Sequence, residues 1–288
     1  MIGERRARYA GYSTRELFVE GRGPCVVFAH GYGDSADTWR GVLAELAVRG
    51  CAALAVDLPG FGHADPRRPG AQLPQLDAFL AELIAARKET GVLAVGNSLG
   101  GAVVLRAAQR ADLAIRAVMP INAAGLGFAV PVRLAMYRNG WLAQAPFCVP
   151  LPRRLLAVGM QRALARLLYG DRRLADPLVV QRFGASITDA RSAATVLRGG
   201  AVFSAEVRNC LEPDRLRCPI VIVHGGRDRL VPLAGSRWLH AAVAHSELRV
   251  LPRSGHCPQL DDPVAVAELV LGLAGRGQAN GAQDAGVG

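Results

Sequence analysis

Lysine is nearly absent from this chain of 288 residues. Of its 34 basic residues only Lys88 is a lysine, and the others are arginines scattered along the sequence. A formal net charge of +10 is compatible with nucleic-acid binding, but no recognition motif and no basic stripe interleaved with aromatic side chains accompanies the arginines. We therefore interpret the arginine excess as a coding bias and predict that nucleic acid is not a partner.

Paired cysteines and long apolar runs are also missing. The six cysteines form no C-x-x-C pair, and we expect reduced thiols in a cytoplasmic protein, with disulfides as the alternative in a secreted one. No run approaches the roughly 18 uncharged apolar residues of a membrane-spanning helix. The basic N-terminus has no apolar stretch behind it, which argues against a signal peptide. We therefore expect no stable membrane insertion.

What the chain does contain is a hydrophobic content of 51%, enough for one large core. Segments with strand and helix patterns alternate, which predicts an α/β fold with a mostly parallel sheet and helices on both faces. The pattern changes over 125–212, where only helices are predicted, and residues 275–288 are predicted to be a disordered tail. Strands are predicted within 12–30 and over 52–56, 92–95, 115–121, 219–224 and 248–251, with helices over 35–50 and 73–88.

One glycine-rich turn carries the strongest chemical signal. Gly96-Asn97-Ser98-Leu99-Gly100 follows the apolar run 92–95 and precedes a second apolar stretch. A serine flanked by glycines between a strand and a helix is the pattern of a nucleophile elbow. The glycines relieve crowding where the strand and the helix meet. The alternative is a tight turn that serves packing alone.

Three further polar signatures each follow a predicted strand: His30-Gly31-Tyr32-Gly33, Gly226-Arg227-Asp228 and Gly255-His256. The carboxyl ends of parallel strands lie at one edge of the sheet, so we expect these groups to converge there. A nucleophilic serine needs a general base, an acid to orient that base and donors for a developing oxyanion. The sequence offers a candidate for each.

These motifs, together with Asp57-Leu58-Pro59-Gly60-Phe61-Gly62, resemble the α/β-hydrolase superfamily, in particular its capped, esterase-like members. The resemblance covers about residues 25 to 265. It implies a core domain of 1–124 and 213–274 and a helical cap of 125–212 that lies over the serine. The order serine, aspartate, histidine along the chain is the order of this superfamily. The fold alone does not fix a substrate.

The resemblance assigns a role to each catalytic candidate. Ser98 is the expected nucleophile, His256 the general base and later general acid, and Asp228 the carboxylate that holds the imidazole tautomer. Asp57 and Asp65 are rival acids because they also follow a strand. In the superfamily, however, the stretch that begins at Asp57 is a structural turn.

The other position known for the acid, after the sixth strand, carries Asn122, which is neutral. Asp228 therefore remains the expected acid.

The oxyanion hole is expected to use the backbone amides of Tyr32 and Leu99. His30 and Gly31 are expected to shape the loop and to contribute to substrate binding, and Asn97 either lines the pocket or supports the elbow. For the side chain of Tyr32, substrate contact and simple packing are both open. We expect neither a metal nor another cofactor, because no histidines or carboxylates have ligand spacing.

Residues 155–168 alternate apolar side chains with arginines and predict an amphipathic helix in the cap. Its apolar face is expected to roof an acyl pocket, with contact to an anionic membrane surface as the alternative. The expected partner is a small-molecule substrate, and homodimerisation is left open.

The function predicted from these residues is hydrolysis of a carboxylic ester with a small or medium apolar acyl group. One alternative is a carbon–carbon bond hydrolase of a vinylogous diketone, because some of those enzymes share the Gly-Asn-Ser-x-Gly-Gly elbow. Another is a catalytically silent member that only binds a ligand. The sequence does not separate an esterase from a thioesterase.

Overall fold

The computed structural model describes residues 1–130, 153–184, 190–208 and 210–284. Within them the chain builds an eight-stranded sheet in the order β1-β2-β4-β3-β5-β6-β7-β8. The pairs β1–β2 and β2–β4 are antiparallel and the other neighbours are parallel. In chain order the strands are Gly3–Tyr9 (β1), Tyr12–Val19 (β2), Arg22–Ala29 (β3), Cys51–Val56 (β4), Val92–Asn97 (β5), Ile115–Ile121 (β6), Ile220–Gly225 (β7) and Ser246–Leu251 (β8).

The central strands are apolar on both faces because helices cover both. In β3, Val27 and Ala29 point into one hydrophobic cluster, and Val26 and Phe28 point into the other. This alternation follows from the two-residue period of a strand. A parallel sheet buried on both faces requires such near-continuous apolar runs. The observed architecture confirms the predicted α/β fold.

The helices are numbered in the order in which the described residues contain them. Helices α2 and α3 pack on one face of the sheet, and α1 and α9 pack on the other. They are Arg40–Val48 (α1), Gln72–Ala85 (α2), Leu99–Ala108 (α3), Arg153–Leu168 (α4), Pro177–Gly184 (α5), Ala190–Glu206 (α6), Leu233–Ala242 (α7), Pro258–Asp261 (α8) and Pro263–Asp284 (α9).

Two features of the fold differ from the sequence prediction. Strand β1 is not predicted, because most of its residues are exposed at the sheet edge and lack an apolar period. The last helix, α9, continues to Asp284, whereas the sequence predicts a disordered tail from residue 275. Alanine and glutamine favour the helix and extend it past the glycines. Residues 285–288 lie outside the described part of the chain.

In its described parts, the chain between β6 and β7 contains the helices α4, α5 and α6 and no strand. In α4, Leu164, Leu167 and Leu168 face the cavity that contains Ser98, while Arg162 and Arg166 are exposed. In the parts of the chain described here, none of the helices is both long and apolar enough to cross a bilayer.

Candidate active site

Ser98 occupies the turn between β5 and α3 in a backbone conformation that side chains rarely adopt. Its φ is 54° and its ψ is −111°, a strained combination that the surrounding structure must hold in place. A side chain on Gly96 would collide with the backbone of Gly100, and one on Gly100 would collide with the backbone of Ala29. Glycine is therefore required at both positions, as the elbow pattern predicts.

Asp228 and His256 come together although they lie in different loops. The Nδ1 atom of His256 is 2.9 Å from Oδ2 of Asp228. The other oxygen of Asp228 accepts hydrogen bonds from the amides of Leu230 and Val231 at 2.7 and 3.1 Å. Burial acts to raise the pKa of Asp228, but the attraction of His256 and these hydrogen bonds outweigh it and the pKa is lowered. Asp228 is thus held as a carboxylate.

Two asparagines fix the backbone that carries His256. The carbonyl oxygen of His256 accepts hydrogen bonds from Nδ2 of Asn97 and from Nδ2 of Asn122, both at 2.9 Å. The Oδ1 atom of Asn122 accepts in turn from the amide of Gly225, also at 2.9 Å. Asn97 therefore joins the elbow to the histidine loop, as the support role predicts, and it also lines the cavity.

The role of Asn122 is missed by sequence reasoning, which considers this position only as a site for the acid. Asn122 has a φ of 45°, and asparagine tolerates this region better than most residues. Its position directly after β6 is the one signal that could have found it.

Ser98 and His256 line the same cavity, which has a volume of about 230 Å³. Among the hydrogen bonds of the described residues, none links the Ser98 hydroxyl to the imidazole, whose Nδ1 is bound to Asp228. The described lining is mostly apolar and comes from both the core and the helices α4, α5 and α6. It comprises Gly31, Tyr32, Asn97, Ser98, Ala124, Phe128, Leu164, Leu167, Leu168, Phe183, Gly200, Phe203, Leu230, His256 and Cys257.

The loop after β3 lies against the elbow. A Cβ atom on Gly31 would be 3.3 Å from Oδ1 of Asn97 and 3.4 Å from Cβ of Ser98, so the loop approaches the serine closely. Within the described residues, the backbone amides of Tyr32 and Leu99 have no hydrogen-bond acceptor. Tyr32 lines the cavity, and Leu99 directly follows Ser98, which also lines it.

His30 lies outside the described lining of the cavity, in contrast to the expected substrate contact. Its side chain is fully buried. Its Nδ1 is 2.8 Å from the carbonyl oxygen of Gly31, and its Nε2 accepts the amide of Leu58 at 2.9 Å. Burial lowers the pKa of His30 and keeps it neutral. His30 shapes the loop, the other role that the sequence predicts for it, because both ring nitrogens are occupied by backbone groups.

The rival acids are engaged elsewhere. Asp57 is fully buried and binds Arg15 through an N–O distance of 3.0 Å. It also accepts the amides of Ala36 and His63 at 2.7 and 2.8 Å. Asp65 accepts the amide of Ser13 at 2.7 Å. Asp57 and Asp65 are absent from the described cavity lining. Both carboxylates instead accept backbone amides and so stabilise the loops around them.

Comparison with known proteins identifies the family of the chain. A model of the alpha/beta hydrolase family matches residues 26–269 of the chain. The chain belongs to this family. The hydrolase is 30% identical over 251 residues to the pimeloyl-(acyl-carrier protein) methyl ester esterase of Chromobacterium violaceum, with 85% of this chain and 92% of that protein covered. It is 29% identical over 265 residues to an esterase of Mycobacterium tuberculosis, with 88% and 83% covered.

Solved structures show the same fold. The 2-hydroxy-6-oxo-6-phenylhexa-2,4-dienoate hydrolase of Rhodococcus sp. strain RHA1 superposes on this hydrolase with a TM-score of 0.72 and 23% identity. The superposition covers 95% of this chain and 98% of the Rhodococcus chain. At this level of identity the similarity concerns the fold alone.

The cysteines of the hydrolase are unpaired wherever the structure describes them. Cys25, Cys51, Cys210 and Cys218 are partly buried and Cys257 is fully buried; Cys148 lies outside the described residues. Burial raises the pKa of the Cys257 thiol well above its usual value, which makes it a poor nucleophile. In the described parts of the chain, no three His, Cys, Asp or Glu side chains come together as a metal site.

Proposed function

We propose that the protein is a serine hydrolase that cleaves carboxylic esters with a small or medium apolar acyl group. The observation that carries the proposal is that His256, which is hydrogen-bonded to Asp228, lines the same cavity as Ser98. A serine in a strained elbow, an imidazole and a carboxylate are the three groups that acyl transfer requires. The esterase relatives support the same reaction class.

In the proposed mechanism, the Ser98 oxygen attacks the ester carbonyl carbon while Nε2 of His256 takes the hydroxyl proton. The amides of Tyr32 and Leu99 donate to the oxyanion of the tetrahedral intermediate. The C–O bond to the alcohol then breaks, and the alcohol leaves with the proton from His256. Water attacks the acyl-enzyme with His256 again as base, and release of the carboxylic acid restores Ser98.

The lining of the cavity favours a substrate with an uncharged acyl group. Apart from His256, the described lining carries no ionisable side chain other than Tyr32 and Cys257, and burial raises the pKa of both, so both stay neutral. Leu164, Phe183 and Phe203 offer apolar contact instead. A volume of about 230 Å³ favours a short chain over a long one.

We further propose that residues 125–212 form a cap over a core of 1–124 and 213–274. The support is that α4, α5 and α6 all contribute side chains or backbone to the cavity around Ser98.

A carbon–carbon bond hydrolase is the second candidate, and the elbow sequence Gly96-Asn97-Ser98-Leu99-Gly100-Gly101 favours it. The substrate named for the Rhodococcus enzyme is a dienoate and so carries a carboxylate. A carboxylate in an apolar cavity needs a cationic partner, and the described lining provides no arginine or lysine. This difference makes the ester the better candidate.

The test is a panel of p-nitrophenyl esters of graded chain length, run beside a vinylogous diketone. We expect the highest kcat/KM for short acyl chains, and loss of activity in Ser98→Ala but not in the control Ser13→Ala, whose residue lies outside the cavity. A fluorophosphonate is expected to label Ser98. Faster diketone cleavage would favour the second candidate, and an unlabelled Ser98 with tight ligand binding would show a silent binding protein.

A further inference from the structure

The side chain of Tyr32 joins the proposed oxyanion loop to a helix of the insertion. Its hydroxyl donates to the carbonyl oxygen of Val196 in α6 at 3.3 Å. Its ring packs against Phe61 of the core, with centroids 5.1 Å apart, and against Phe203 of α6, with centroids 6.4 Å apart. The same residue therefore carries a cavity-facing amide and a contact with the cap.

Helix α6 has a recess that fits the phenol. A Cβ atom on Gly199 would overlap the hydroxyl oxygen of Tyr32 but would stand 3.4 Å from Cζ, an ordinary van der Waals distance. Glycine is disfavoured inside a helix relative to alanine, so its presence in α6 calls for a local reason. The hydroxyl of Tyr32 supplies that reason.

We propose that Tyr32 is a positioning residue: the contact of its side chain with helix α6 sets the geometry of the oxyanion hole. This inference rests on the proposed function, in which the Tyr32 amide is an oxyanion donor. The phenol is fixed at one end by Val196 and Gly199, and the amide belongs to the same residue, so a shift of the ring moves the donor. The next residue, Gly33, has a φ of 73° and allows the loop to turn away directly after Tyr32.

The chemistry of the phenol suits a permanent contact. Burial raises the pKa of Tyr32, so the hydroxyl remains protonated and remains a donor over the whole working range of pH. A displacement of about 1 Å at a reacting group can lower a rate by about 10²-fold. Small movements of the Tyr32 ring are therefore sufficient to change kcat.

The test is a double-mutant cycle on Tyr32 and Gly199 with a short p-nitrophenyl ester. Tyr32→Phe removes the hydroxyl and keeps the ring, and we expect kcat to fall about 3- to 10-fold with KM nearly unchanged. Gly199→Ala pushes the hydroxyl out of its recess, and we expect kcat to fall about 10- to 100-fold. In the double variant the new methyl group meets only Cζ, so kcat should recover to the level of Tyr32→Phe.

A second readout separates positioning from general damage. Affinity for a trifluoromethyl ketone, which forms an oxyanion on the serine, should fall in parallel with kcat, while affinity for the product acid stays the same. Two controls are matched: Gly159→Ala, at a position of α4 with open space around it, and Tyr12→Phe, which loses a phenol bond to Gln75 outside the cavity. Both should behave as the wild type.

The proposal is overturned if Gly199→Ala keeps the wild-type kcat, if only KM rises in the variants, or if the double variant is no faster than Gly199→Ala. If Gly199→Ala does not fold, Tyr32→Phe and its ketone affinity decide alone. A wild-type protein that cleaves no ester and leaves Ser98 unlabelled would instead refute the proposed function.

Discussion

The histidine of the site depends on side chains that need not touch a substrate. Asp228 holds one ring nitrogen of His256, and Asn97 and Asn122 hold its backbone carbonyl. If His256 is the general base, the residues that orient it should matter nearly as much as the base itself.

The negative charge of Asp228 can be removed with little change in the shape of the side chain. In Asp228→Asn the shape is kept, but the negative charge that stabilises the imidazolium and selects its tautomer is lost. We expect kcat for a p-nitrophenyl ester to fall by about 10⁴-fold. An unchanged fluorescence emission spectrum and an unchanged circular dichroism spectrum would show that the fold is intact. A loss below tenfold would transfer the role of the acid to another residue.

Asp34 is buried in the loop after β3, two residues beyond Tyr32. Burial raises the pKa of Asp34 from 3.8 to about 7. The folded state therefore prefers the neutral form, and its stability falls as the pH rises from about 4 through about 7. Asp34→Asn should remove this dependence and stabilise the fold at pH 8, by on the order of 4 kcal/mol at most.

Urea unfolding at a series of pH values measures this difference. The exposed Asp214→Asn serves as control and should follow the wild type. Parallel pH profiles for the wild type and Asp34→Asn would contradict the prediction.

Ser98, Asp228 and His256 can be proposed from local motifs, because each follows a strand within a recognisable sequence pattern. The structure confirms that Asp228 and His256 meet, while the catalytic roles stay predictions. Asn122 could not be assigned in the same way. Its partner Gly225 is 103 positions away in the chain, and no local pattern records such a contact.

At the scale of elements, α6 does more than cover the cavity, because it also caps a core helix. Helix α2 begins after Ala71, which has no capping side chain. The carboxylate of Glu206 in α6 accepts the amides of Gln72 and Leu73 at 2.9 and 2.7 Å. A negative group at a helix N-terminus satisfies free amides and complements the helix dipole.

We therefore predict that Glu206→Ala destabilises the protein by about 1–2 kcal/mol, as for the loss of a helix cap. It should also loosen α6 and speed limited proteolysis between β6 and β7. The control is Glu89→Ala, at an exposed position after α2. Equal melting temperatures for both variants would show that the contact does not stabilise the fold.

The accuracy of the element prediction depended on burial. The apolar strands β3, β5 and β7 have a clear pattern because both of their faces are covered. Strand β1 is held by its ladder with β2, and backbone hydrogen bonds leave no mark on side-chain polarity. The side-chain pattern therefore does not predict the strand at this edge of the sheet.

At the scale of the whole molecule, one buried carboxylate joins three distant segments. Asp57 binds Arg15 of β2, the amide of Ala36 before α1 and the amide of His63 in the loop after β4. Arg15 also pairs with Asp37 at 2.8 Å. The network lies outside the described lining of the cavity, and its role is to hold the fold.

Asp57→Ala should therefore lower the free energy of unfolding by about 3–5 kcal/mol, because it leaves Arg15 buried without one of its partners. The exposed pair of Arg110 and Asp112 provides the control, since Asp112→Ala should leave the unfolding midpoint close to that of the wild type. Urea denaturation of both variants measures the change in the free energy of unfolding. Similar midpoints for the two would mean that the buried network contributes little.

The burial of the cysteines has a practical consequence. Each described thiol is at least partly shielded in the native state, and a buried thiol reacts slowly until the segment around it opens. Ellman's reagent would then report the opening of separate regions without an introduced label: Cys25 and Cys51 report on the sheet, and Cys257 reports on the lining of the cavity. The reaction rate of each native thiol would thus measure how often the region around it unfolds locally.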